Sequence, residues 1–140
     1  MQRLPIEYGK AEWIAKGEDI AILAEGHMLD AAYGAVERLR AEGKNPSLVN
    51  IRFIRPLDGE ILRAVAEDCS HIFTVEDNVR DGGFGSAVLE FYSDHDIAAN
   101  VKNLAFPDVY IEQGTQAQLF AKYGLDAEGI YQSIKKTLGE

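Results

Sequence analysis

Short apolar runs of strand length alternate along this chain with longer stretches in which apolar residues return every three or four positions. Sustained from about residue 19 onward, that change of period is the mark of βαβ units and of a parallel sheet covered by helices. The expected class is α/β, with three α/β/α layers and a mostly parallel sheet of about five strands, one of them an antiparallel edge strand. Asp19 to Ala24 (DIAILA), Ser47 to Ile51 (SLVNI), His71 to Val75 (HIFTV) and Val101 to Ala105 (VKNLA) read as the parallel strands. Lys10 to Ala15 (KAEWIA) reads as the edge strand, joined to the first parallel strand by a tight turn at Gly17.

Helices fill the intervals. Leu29, Ala32, Val36 and Leu39 share one face of a helix that Gly43 stops. Asp58 is placed to cap a second helix with Ile61, Leu62 and Val65 inward. A third runs from about Ser86 to Ser93 with Val88, Leu89 and Tyr92 as its buried side. Thr115 and Gln118 have capping-box spacing and open a helix that Gly124 ends, and Asp126 caps a last one carrying Ile130, Ile134 and Leu138. No repeat or linker divides residues 1–140, so a single domain is expected.

Composition narrows the function classes. The chain has 46% hydrophobic residues, enough for a core, and 23 acidic against 14 basic residues, a net charge of −9. That balance argues against a nucleic-acid partner, which needs clustered Lys and Arg. No apolar run is long enough to cross a bilayer and MQRLPIEYGK has no signal-peptide core, so no membrane association is expected. One cysteine, Cys69, excludes an internal disulfide and reads as a small core residue in a reducing compartment. The expected location is the cytoplasm, with the plastid open if a transit peptide has been removed.

Loops leaving the carboxyl ends of parallel strands gather on one edge of an open sheet, where ligands bind. Here that edge collects Glu25, Gly26 and His27, then Arg52 to Arg55, then Glu76 to Gly85, then Phe106 to Gln113. Gly82, Gly83 and Gly85 precede a helix and can expose NH groups to an anion. Their spacing is not GxGxxG, because Val88 stands where the third glycine belongs, and a tight turn of close approach is the better reading. An arginine at a strand end either grips a phosphate or carboxylate in two-pronged fashion or pairs with an acidic neighbour, and both remain open for Arg52 and Arg55. His27 has no nucleophile in sequence reach, and His27, His71 and His95 have no ligand spacing, so neither a catalytic set nor a metal site is expected.

The segments DIAILAEG, VNIRFIRPLD, HIFTVEDNVRDGGFGSAVLEF, FPDVYIEQGTQ and YGLDAEGI together resemble the C-terminal domain of the 1-deoxyxylulose 5-phosphate synthases, a transketolase-type group. VNIRFIRPLD is similar across that superfamily, whereas the combination of GGFGSAVLEF, PDVYIEQGTQ and GLDAEGI is much more specific and looks like the synthases. The resemblance implies a transketolase C-terminal fold and an enzyme that condenses pyruvate with glyceraldehyde 3-phosphate, releasing carbon dioxide. It implies thiamine diphosphate and magnesium bound by two other domains, with none held by this chain, and a homodimer. It places Arg52 where the family arginine holds the acceptor phosphate, with His27, Arg55, Gly82 and Gly83 along the active-site edge. His27 stands where many relatives carry a small hydroxyl residue, and Glu25 where they are uncharged. Two other readings are a separate subunit of a split enzyme and a regulatory domain that binds an anion at the glycine loop. A domain that closes against partners is also expected to expose an apolar patch.

Overall fold

The computed structural model describes residues 10–25, 28–52, 57–76, 83–105 and 127–140. Five strands and four helices follow one another in it as β1 (Glu12–Ala15), β2 (Asp19–Glu25), α1 (Leu29–Ala41), β3 (Ser47–Ile51), α2 (Gly59–Asp68), β4 (Cys69–Glu76), α3 (Phe84–Asp94), β5 (Val101–Ala105) and α4 (Ala127–Thr137). The strands form one mixed sheet in the order β1-β3-β2-β4-β5. All neighbours are parallel except β1, which runs antiparallel to β3 with Glu12 opposite Asn50 and Trp13 opposite Val49.

Alternation along the strands supplies both faces of the sheet. Ile20, Ile22 and Ala24 of β2, with Leu48, Phe73 and Val75, pack beneath α1 and α4. Ala21 and Leu23, with Val49, Ile51 and Ile72, pack beneath α2 and α3. β2 is buried on both sides, which explains why DIAILA has no polar alternation. The α/β class and layering expected from the sequence are the ones observed.

Local chemistry sets the element ends. Asp58 caps α2, its Oδ1 accepting from the Ile61 amide at 3.3 Å, while its Oδ2 accepts from the Ala11 amide at 2.9 Å. α1 ends as Gly43 turns into the left-handed region at φ +89°, and the Gly43 and Lys44 amides donate to the Arg40 and Leu39 carbonyls. Cys69 is buried, and burial pushes its thiol pKa up, as suits a core residue and not a nucleophile.

The structure departs from two sequence expectations. β1 does not form a hairpin with β2; its partner is β3, so Gly17 serves a crossover. At Gly17 the chain passes against the residues entering β3, with the Glu18 amide donating to the Asn45 carbonyl at 2.8 Å and the Gly17 amide to Ser47 Oγ at 2.8 Å. Leu89 is exposed, not inward, because Phe84, Val88 and Tyr92 stack four apart on the core line and Leu89 lies about 100° around from Val88. Among the described residues the exposed large apolar side chains are Tyr33 on α1 and Leu89 on α3. These helices cover opposite faces, so the two side chains do not adjoin. The expected helix over Thr115 to Gly124, with Asp126, lies outside the described residues.

Candidate functional site at the carboxyl edge of the sheet

β2 leads through α1 to β3 on one side of it, while β3 leads through α2 to β4 on the other side. The direction of winding therefore reverses between β2 and β4, and at such a point the loops part and leave a crevice. β2 ends in Glu25 and β4 in Glu76, and the register that pairs Ala24 with Val75 brings these two carboxylates to neighbouring strand ends. One Glu25 carboxylate oxygen is shut off from solvent, and Glu76 is 4% exposed.

Glu76 turns toward α3. Its Oε2 accepts from the Gly85 amide at 3.1 Å, in the first turn of the helix, so a carboxylate of the chain itself stands at the positive end of α3. Gly83 is the residue before that helix and adopts φ +102°, a left-handed conformation that favours glycine. Gly85 lies against Asn103, where a Cβ would come within 2.6 Å of the side chain, and Asn103 Oδ1 accepts from Thr74 Oγ1 at 2.6 Å. The glycine segment thus docks a helix closely on β4 and β5. An external anion would compete there with Glu76, which weakens the anion-binding reading of this loop.

Arg52 leaves β3 one strand beyond the crevice, on the other side from β4. Its Nη2 stands 3.1 Å from Glu12 Oε2, with about a quarter of the side chain exposed. Glu12 Oε1 accepts from Asn50 Nδ2 at 3.4 Å. Arg52 is therefore partnered by an acidic neighbour, and among the described residues that partner places one carboxylate oxygen on one nitrogen, a contact that does not use up the planar donor fork.

The structure does not bring all the sequence candidates together. Arg52 and Gly83 belong to strand ends two spacings apart, about 10 Å across the sheet. His27, Arg55 and Gly82 lie outside the described residues. Sequence reasoning did not single out Glu12 or Asn50, which shape the surroundings of Arg52; the period-2 alternation of Glu12 with the buried-side Trp13 was the available signal. Among the described residues no three His, Cys, Asp or Glu side chains cluster as metal ligands. With the Glu76 carboxylate already on the Gly85 amide, the α3 N-terminus does not fit a diphosphate.

Residues 9–130 match the family model described as transketolase, C-terminal domain. A 1-deoxy-D-xylulose-5-phosphate synthase of Syntrophotalea carbinolica is 46% identical over 135 residues, covering 96% of this chain and 21% of that protein. Its counterpart in Caldanaerobacter subterraneus subsp. tengcongensis is 44% identical over 126 residues, 90% of this chain and 20% of that one. The chain thus spans about a fifth of the length of these curated relatives. Among solved structures, a split gene transketolase described as an inactive beta4 tetramer superposes with a TM-score of 0.84 at 30% identity, covering 97% of this chain and 44% of that one.

Proposed function

The chain belongs to the transketolase C-terminal domain family, and from that premise we propose that it is the closing domain of a 1-deoxy-D-xylulose-5-phosphate synthase. In this reading the complete enzyme joins pyruvate to glyceraldehyde 3-phosphate with loss of carbon dioxide. Thiamine diphosphate and magnesium sit in the two other domains and supply the carbanion chemistry there. This chain covers the site, receives the acceptor phosphate on Arg52, and has no catalytic competence alone. Two copies of the complete enzyme associate, and the enzyme works in the cytoplasm.

The observation that carries the reading is the match of nearly the whole chain to one fifth of the synthases. Charge supports the assignment within the edge. Glu25 and Glu76 make the crevice between β2 and β4 a poor host for a phosphate, whereas Arg52 offers a charge-assisted, two-pronged contact worth about 1.5–3 kcal/mol. In the complete enzyme Arg52→Ala is expected to raise KM for glyceraldehyde 3-phosphate by about 10- to 150-fold with kcat nearly unchanged. An unaltered KM removes the phosphate role from Arg52, and failure of the complete enzyme to form 1-deoxyxylulose 5-phosphate overturns the reading as a whole.

A second reading, in which the chain is part of a separate subunit of a split transketolase-type enzyme, draws on the likeness to the split gene transketolase. A neighbouring reading frame that carries the cofactor domains favours it; a single long frame rules it out.

A further inference from the structure

Arg52 stands where β3 stops. Ile51, paired with Glu25, is the last residue of the strand, so the backbone at Arg52 is already leaving the sheet. A long arginine at such a point samples many rotamers unless something holds it, and a loosely held guanidinium loses affinity each time a ligand must order it. Here the holding group comes from the edge strand. Glu12 Oε2 meets Arg52 Nη2 at 3.1 Å, and Glu12 is itself steadied through Oε1 by Asn50 Nδ2 at 3.4 Å, the residue directly opposite it in the β1–β3 register.

The strand that carries Glu12 is tied to the far end of the same loop. The Ala11 amide donates to Asp58 Oδ2 at 2.9 Å, and Lys10 Nζ lies 3.7 Å from Glu60 Oε2. Residues 10–12 thus meet Arg52 through Glu12, Asp58 through the Ala11 amide and Glu60 through Lys10. Glu12 is the more exposed member of the ion pair, at 45% against 24% for Arg52. A pair this exposed adds little to fold stability, so its effect falls mainly on where the guanidinium points.

The geometry points to Glu12 as a positioning residue for Arg52: by accepting from one nitrogen it orders the guanidinium and leaves the remaining donors facing an acceptor phosphate. This deepens the phosphate-binding reading of Arg52 and rests on it. Glu12 touches no substrate. Its carboxylate also opposes the phosphate charge; ordering outweighs this repulsion, so loss of Glu12 weakens binding.

The test uses the complete enzyme, with glyceraldehyde 3-phosphate and unphosphorylated glyceraldehyde as acceptors. Glu12→Ala is expected to raise KM for the phosphorylated acceptor by about three- to tenfold, the loss expected when one side chain must be ordered on binding. Its kcat and its KM for glyceraldehyde stay as in the parent enzyme. Glu12→Gln, which keeps an oxygen acceptor for Nη2, shows a smaller rise in the same parameter and serves if the alanine variant folds poorly. Added to Arg52→Ala, the Glu12→Ala change costs nothing further, since two residues acting through one contact are not additive. A KM that falls or stays constant in both Glu12 variants, while Arg52→Ala raises it, overturns the positioning role and leaves the Arg52 reading intact. If Arg52→Ala also changes nothing, both fail together. Equal losses with both acceptors mark Glu12 as merely structural and overturn the inference.

Discussion

A methyl group on Gly17 would sit 1.9 Å from the Asn45 carbonyl oxygen, a backbone atom that the Glu18 amide holds at 2.8 Å. Backbone cannot swing aside as a side chain does, so Gly17→Ala is expected to cost about 3 kcal/mol, at the upper end of overpacking effects. Gly43 offers the contrast. Nothing lies within 4 Å of its missing Cβ, and only φ +89° resists substitution, so Gly43→Ala is expected to cost about 1 kcal/mol. Urea midpoints of the two variants check the ranking, and equal losses would contradict the crossover geometry at Gly17. The two glycines look alike in sequence, each beside a turn. What separates them is a carbonyl 28 residues away from Gly17, which no local pattern records.

At the scale of elements, the end of α4 is latched to the end of α1. Lys135 Nζ donates to Glu42 and to Glu140 at 2.7 Å each, and Lys44 Nζ donates to Glu140 at 3.0 Å. The hydrogen bond from Lys135 is the main cause holding the Glu42 and Glu140 carboxyls below their ordinary pKa of 4.5; the bond to Glu140 is the main cause raising Lys135. Depressed carboxylates contribute stability that is complete above 4.5 and fades as pH falls through the lower folded values. The raised lysine contributes stability that is complete below 10.5 and fades as pH rises through its folded value. The difference in melting temperature between the parent chain and Lys135→Ala is therefore expected to be steady near neutrality and to shrink below pH 4.5. A difference that stays constant down to pH 2 would rule the latch out. The elements themselves were legible: DIAILA and HIFTV announce strands by largely apolar, β-branched runs, and Asp58 announces α2. The partner of β1 was not, because a glycine before a strand fits a hairpin and a crossover equally well. The setting of Arg52 was half legible: its strand-end position follows from sequence, but its contact with Glu12, 40 residues earlier, exists only once β1 lies beside β3.

For the molecule as a whole, the described residues present a carboxylate pair at the crevice and one arginine beside it, without a metal-ligating cluster. On the proposed reading as a closing domain, the cofactor belongs to the other domains of the enzyme. Calorimetric titration of the purified chain with thiamine diphosphate and magnesium is accordingly expected to give no binding heat. Stoichiometric heat would place a cofactor site on this chain and overturn its assignment as a closing domain.

β1 runs opposite to the four strands beside it, so its first residue lies at their carboxyl edge, within reach of Arg52. Glu140, held by Lys44 just ahead of β3, lies at the amino edge. The two ends of the described fold therefore open toward opposite poles. A fluorophore carried at position 140 sits away from the carboxyl edge of the sheet, whereas one carried at position 10 sits beside it. For labelling or immobilisation that spares the carboxyl edge, position 140 is the one to use.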